Sequence, residues 1–324
     1  MKKSFKLFLA AAFLVTEFFV VALPLMITSA KADGHPIQAI TNAGFGGGTD
    51  VTTRMMLLRT RRYLKQDMQL VNKKGGGGAA SMDYMMTLPA DGQHTLTWTT
   101  GHAVSMALGK TKVKLSDMQP LARGTDDPQL FVVNCKNEIK DAKKFISAQK
   151  SKSLKYGTTH VGGIDDVSAI AFTKKGKLTD PTIVPYKGVG PIKTNLIKGD
   201  IDVGVLNLGE AVTEIEDGTL CVSVVLASNR MEKLSNVPTA TELGIPVVLS
   251  TVRGFVTRKG VPADRKKQLE DAMIKAMEHK YFQSFLTDIG LDSTSVVGAD
   301  EWGKQMEVML AEMTAQLKAL GYIN

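Results

Sequence analysis

Four loops carry the residues of this 324-residue chain best suited to holding a small polar molecule. The first is Asn42-Ala43-Gly44-Phe45-Gly46-Gly47-Gly48-Thr49-Asp50, between an apolar run and a helical pattern. Glycines let the backbone turn sharply and let a ligand approach the main chain. Unpaired N–H groups at a helix start, with the helix dipole, favour an anion there. Thr49 or Asp50 could cap that helix. The competing readings are a bare glycine-rich turn and a dinucleotide loop, whose spacing fits poorly. Lys74-Gly75-Gly76-Gly77-Gly78-Ala79-Ala80 lacks the Gly-Lys-Ser/Thr ending of a nucleotide loop, and reads as a segment that starts the next helix close to the first loop. Thr99-Thr100-Gly101-His102 offers hydroxyls and a helix start. His102 has no nucleophile and carboxylate spaced around it, so it reads as structural rather than catalytic. Gly157-Thr158-Thr159-His160-Val161-Gly162-Gly163 repeats the logic of the first loop. Facing each other, the two could each receive one end of a dicarboxylate. Asp165 and Asp166 just beyond read as ordinary helix-start acids. The sequence shows neither paired carboxylates for acid–base catalysis nor a metal-ligand cluster, and it calls for no cofactor.

These loops need strands to end before them and helices to start after them. Strands are expected at Pro36–Thr41, Met68–Val71 and Thr95–Thr99, with helices at Asp50–Lys65 and Ala79–Leu88. That order implies a parallel sheet covered by helices. After a turn at Thr125-Asp126-Asp127-Pro128 and a strand Leu130–Asn134, alternation resumes. Helices are expected at Asp141–Gln149, Asp165–Lys174, Pro191–Lys198 and Glu210–Asp217, and strands at Leu154–Tyr156, Thr182–Val184, Ile201–Leu206 and Cys221–Ala227. A short helix Thr239–Leu243, a strand Thr251–Thr257 and helices Pro262–His279 and Asp300–Leu320 complete the chain. Two such units with a long return suggest two lobes across a cleft, with ligands at the carboxyl ends of strands.

The N-terminus sets the compartment. Lys2, Lys3 and Lys6 precede an apolar run from Leu7 to Ile27, and Ala30-Lys31-Ala32 has the small-x-small form of a signal-peptidase site. This reads as a signal peptide, 1–32, cleaved after Ala32. An uncleaved anchor is the alternative, against which Glu17 and Pro24 weigh. The net charge of +8 falls to +5 once the signal's four lysines and one glutamate are removed. That surface suits an anionic ligand, and with no basic block among aromatics it does not suggest nucleic acid. An exported chain also permits Cys135 and Cys221, its two cysteines, to pair.

Six segments in order then resemble one family. They are Gly46-Gly47-Gly48-Thr49-Asp50 with Arg54 behind it, Asn72-Lys73-Lys74-Gly75-Gly76-Gly77-Gly78, Pro89-Ala90-Asp91-Gly92, Pro185-Tyr186-Lys187-Gly188, Lys198-Gly199-Asp200-Ile201-Asp202 and Val237-Pro238-Thr239-Ala240-Thr241-Glu242-Leu243-Gly244. The chain resembles the extracytoplasmic solute-binding proteins of the tripartite tricarboxylate transporters, the Bug family, over essentially all of 33–324. The resemblance implies an α/β type II periplasmic binding fold with two crossover strands. Lobe 1 would be 33–128 plus 228–324 and lobe 2 would be 129–227. It implies a periplasmic, non-enzymatic monomer that closes on a small organic acid and delivers it to two integral membrane subunits driven by an ion gradient. A sensor presenting its bound form to a membrane receptor, or a secreted enzyme, would use the same cleft. Ligand-holding roles would fall on Phe45, Gly46, Gly47, Thr49, Asp50, Thr100, Gly101, His102, Thr158, Thr159, Gly162 and Asn207.

Two departures stand out. The family's first loop usually opens with a proline and an aromatic residue, where this chain has Asn42 and Ala43. Its second-lobe loop usually carries Ser-x-Gly and a histidine, where this chain has Thr158-Thr159-His160 and then Asp165-Asp166. Asp165 beside a pocket would disfavour a second negative group on the ligand. If the crossover strands run antiparallel, Cys135 and Cys221 come opposite each other and could form a disulfide.

Overall fold

Strands too short to bury both faces alone must stack into sheets and be covered by helices. The computed structural model describes residues 35–159 and 161–323. The expected signal, its cleavage after Ala32 and His160 lie outside them. The chain runs β1 (Ile37–Thr41), α1 (Gly48–Leu64), β2 (Met68–Asn72), α2 (Ala79–Met86), β3 (His94–Thr99), α3 (Thr100–Ala107) and β4 (Met118–Pro128). It continues through β5 (Leu130–Asn134), α4 (Ala142–Ser151), β6 (Lys155–Thr158), α5 (Ile164–Lys175), β7 (Thr182–Pro185), α6 (Val189–Lys198), β8 (Val203–Leu206), α7 (Leu208–Glu216) and β9 (Leu220–Val225). It returns as β10 (Ser250–Arg258), α8 (Ala263–Glu278), α9 (Lys280–Asp288), β11 (Val297–Gly298) and α10 (Ala299–Ala319).

Two sheets result, ordered β11-β4-β10-β3-β1-β2 and β7-β6-β8-β5-β9. β1 pairs parallel with β2 and β3, and β6 pairs parallel with β7 and β8. Parallel neighbours require the intervening helices as crossovers. The antiparallel strands come from the two passages between lobes. β4 leaves the first sheet at Pro128, and β5 enters the second at Leu130 with only Gln129 between them. β9 lies antiparallel to β5, and β10 antiparallel to β4 and β3. Beyond the last β5–β9 pair, Cys135 N–H donates to Thr219 O at 3.1 Å, and Cys135 and Cys221 are joined by a disulfide.

Four expectations need correction. Thr125–Pro128 is no turn: it is the end of an eleven-residue strand, because β10 offers a continuous partner from Ser250 to Arg258. Thr99–His102 continues into a full helix, α3. Thr239–Leu243 is a turn tied to β9 by the Val225–Thr239 bridge. The helix expected to end at His279 restarts there, because the His279 backbone is extended and its side chain accepts from Tyr281 N–H.

Each lobe has its own aromatic centre. In the second, Phe131 packs edge-on against Phe172 at 4.9 Å and Tyr156 at 5.5 Å. In the first, Trp98 meets Trp302 edge-on at 5.8 Å. Trp302 lies flat against β10 because Gly254 has no side chain. A Cβ there would come 2.3 Å from the indole. We expect Gly254→Ala to lower stability by about 1–3 kcal/mol through overpacking. Urea unfolding checks this, and an unchanged midpoint would show that the strand shifts freely.

Candidate functional site

The carboxyl ends of β1, β3, β6 and β8 all open on one cavity of about 510 Å³ between the lobes. Its walls are largely backbone. The Asn42–Thr49 and Lys74–Gly78 loops, with Thr99 and Gly101, form the first-lobe side. Thr159, Gly163–Asp165, Lys187–Pro191, Asn207 and Glu210 form the second-lobe side, and Thr251 and Arg253 of β10 also line it.

Three helices start at this cavity on a glycine N-cap, which supplies no capping side chain. They are α1 after Gly47, α5 after Gly163 and α6 after Gly188. A helix start in this state offers two or three unsatisfied donors and a positive dipole end. The first loop is held open by its own acid. Asp50 accepts from Gly46 N–H at 3.0 Å and from both Nε and Nη2 of Arg54 at 2.9 and 3.1 Å. Asn72 Nδ2 pins Ala43 O from the neighbouring strand end.

Arg253 ties these parts together. It is 2% exposed. Its guanidinium donates to Asp127 Oδ2 at 2.9 Å, to Asn207 Oδ1 at 3.0 Å and to Thr49 Oγ1 at 3.2 Å. These partners come from β4, the cap of α7 and the first turn of α1. Asn207 also donates to Asp127 O and Pro128 O, at 2.9 and 3.0 Å, exactly where the chain crosses between lobes. Gly48 is obligatory here: a Cβ would lie 2.6 Å from Arg253 Nη2 and 3.3 Å from Glu210 Oε1. Burial pushes the Asp127 carboxyl up, and the facing guanidinium pulls it back only in part.

Of the expected site residues, Phe45, Gly46, Gly47, Thr49, Gly101, Thr159 and Asn207 line the cavity. Asp50, Thr100, His102, Thr158 and Gly162 do not. Asp50 is spent on the loop, as above. Thr100 Oγ1 bridges α3 to β10, donating to Ser250 O at 3.0 Å and accepting from Val252 N–H at 2.9 Å. Thr158 is fully buried. Gly162 is buried, and its N–H donates to Asp166 Oδ2 at 2.5 Å. His102 accepts the Thr99 N–H at Nδ1, 3.0 Å, which places its proton on Nε2 facing Ser81 Oγ at 3.0 Å. Ser81 passes the chain on to Gly78 O at 2.7 Å. Burial lowers the His102 pKa to about 3, so the ring is a neutral strut holding the second glycine run. Gly78, with φ +111°, sits 2.7 Å from that ring at its Cβ position, so only glycine fits.

Sequence reasoning missed Arg253, Glu210 and the Lys187–Pro191 segment. A charged residue inside the apolar run Val252–Val256 was the available sign of Arg253. Asp165, read as a helix-start acid, stands in the first turn of α5 and also lines the cavity. Its Oδ2 accepts from Thr159 N–H at 2.9 Å and Thr159 Oγ1 at 2.6 Å. Burial raises its pKa to about 6 against those bonds, with Glu210 and Asp166 adding repulsion.

Two α/β lobes closing on a cleft lined by helix starts define a solute-binding protein of the type II periplasmic class. Residues 52–320 match the family model TctC, described as the tripartite tricarboxylate transporter family receptor, and the chain belongs to that family. It is 27% identical over 221 residues to BugT of Bordetella pertussis, an overlap of 65% of this chain and 67% of BugT. MatC from Rhodopseudomonas palustris, solved with bound malate, matches with a TM-score of 0.78 at 23% identity, covering 87% of this chain and 98% of MatC. A second R. palustris protein, solved with adipate, matches with a TM-score of 0.81 at 21% identity, covering 90% and 99%. At such identities the structures speak for the fold alone.

The raised pKa of Asp165 has a signed consequence. Between its unfolded value near 3.8 and about 6, the folded state holds a proton that the unfolded state releases. This contribution to stability is therefore present in acid and lost as pH rises through 6. We expect Asp165→Asn to gain on wild type by about 2–3 kcal/mol between pH 4 and pH 8. Urea midpoints at both pH values check it, and a difference independent of pH would contradict it.

Proposed function

We propose that this chain captures a small organic carboxylate outside the cytoplasm and presents it to the integral membrane subunits of an ion-gradient-driven tripartite transporter. The observation that carries this reading is the convergence of three uncapped, glycine-started helices on one interlobe cavity. A carboxylate there would accept N–H groups at helix starts that have no capping side chain and would meet the positive ends of the helix dipoles. Lys74 and Lys187, exposed at the rim, add to the attraction for an incoming anion. Two structural neighbours were solved with carboxylates, malate and adipate. The signal-like N-terminus, cleaved after Ala32 in this reading, would bring the chain to the compartment where the family's receptors work, as a monomer with its cleft free to open and close. Among the described residues no helix is long and apolar enough to cross a membrane.

The test is a thermal-shift screen of the purified protein against mono-, di- and tricarboxylates. A binder at a hundredfold excess over its dissociation constant should stabilise the fold by about 2.7 kcal/mol. A shift with one carboxylate group and none with the matching amides or alcohols is the expected result. No shift with any carboxylate would overturn the reading.

A further inference from the structure

The two walls of the cavity are chemically unequal. On the first-lobe side the donors at the start of α1 stand beside Lys74. On the second-lobe side, at the loop before α5, the chain has already used donors that an anion would need. Thr159 N–H and Oγ1 both go to Asp165, and Gly162 N–H goes to Asp166. What this part of the wall, between Asp165 and Glu210, offers instead is acceptors, while Lys187 and the start of α6 stand elsewhere on it.

Asp165 is 7% exposed and lines the cavity. Its Oδ1 has only a long 3.4 Å contact from Gln129 Nε2, whose better partner is Thr251 Oγ1 at 2.7 Å. Gln129 is itself buried, and its Oε1 has no hydrogen-bond partner among the described residues. Glu210 lines the cavity too. Its Oε2 accepts Asn207 N–H at 3.0 Å, while Oε1 lies near Gly48, 3.3 Å from where a Cβ would stand, and accepts no hydrogen bond among the described residues. The two carboxylates repel each other electrostatically, yet among the described residues neither joins an ion pair. Arg253, the one buried cation among the described residues that line the cavity, is bonded to Asp127. Two like charges facing a cleft without a counter-ion are costly unless something cationic joins them.

Resting on the carboxylate reading above, we infer that the solute is a zwitterion. Its carboxylate sits on the first-lobe helix start and its protonated amine lies against Asp165 and Glu210. A second carboxylate at that end would find two negative groups and spent donors. An ammonium would find the free lone pairs of Asp165 Oδ1 and Glu210 Oε1, and would offset the repulsion between them. The solute class is a small amino acid in the broad sense, with its amine and carboxylate far enough apart to reach across the cleft.

The test uses matched probes in which one carboxylate of a dicarboxylate is replaced by an ammonium. These are succinate with β-alanine, glutarate with 4-aminobutyrate, and adipate with 5-aminopentanoate, measured by calorimetric titration at pH 7.5. In the best-fitting pair the amino acid should bind at least tenfold more tightly than its dicarboxylate. The double variant Asp165→Asn, Glu210→Gln keeps the shape and the Asn207 cap, and should narrow or reverse that order. Tighter dicarboxylate binding in every pair would overturn the inference and leave the carboxylate reading standing. Binding of neither member in any pair would overturn both. The wild-type series decides between these outcomes even if the double variant fails to fold.

Discussion

A guanidinium taken out of water must be surrounded by acceptors or the fold gives way. Arg253 is the point at which this chain meets that demand. Its partners are Asp127 on one crossover strand, Thr49 at the start of α1 and Asn207 at the cap of α7. Removing one member of such a buried pair typically costs about 3–5 kcal/mol, so these bonds favour the arrangement of the three elements seen here. The interlobe floor is therefore a fixed polar lattice, and the loops above it inherit their positions. Gly48 follows from the same constraint, since any side chain there would strike the guanidinium.

Around that floor, capping decides where donors stay available. α4, which does not line the cavity, is capped by Asp141 accepting from Lys143 and Lys144 N–H at 3.0 Å. α3 and α7 close their own starts through the Thr99–His102 and Asn207–Glu210 boxes. α1, α5 and α6 begin on glycine, and residues of their first turns line the cleft. Of these, α5 is partly answered by Asp165 and Asp166 in its own first turn. The site is thus built by omission at α1 and α6 and by added acids at α5.

The alternation of elements and the glycine-rich loops could be read from the sequence, because periodicity and loop chemistry are local, whereas the caps on Gly47, Gly163 and Gly188, in place of Thr49 or Asp50 for the first, could not. Nor could the end of β4. Thr125-Asp126-Asp127-Pro128 has turn composition, and only pairing with β10 over nine registered residues makes it a strand. Site residues divided the same way. Phe45, Gly46 and Gly47 reach the cavity because a glycine-rich loop announces itself. Thr100 and His102 share that composition, but are consumed by partners far off in sequence, Ser250 and Ser81. Asp165 looked like a helix-start acid and is also one. That it withdraws the Thr159 donors from a ligand depends on the tertiary position of one carboxylate.

The central claim is that a fixed Arg253 lattice leaves the start of α1 as the seat for the ligand's carboxylate. The most direct measurement is a crystal structure with the tightest-binding carboxylate from the screen. It should show a carboxylate oxygen within about 2.7–3.2 Å of the backbone N–H groups at Gly48 or Thr49. Arg253 should still be bonded to Asp127 and Asn207. A carboxylate bound elsewhere in the cleft, or an Arg253 drawn away from Asp127 to meet it, would contradict the account.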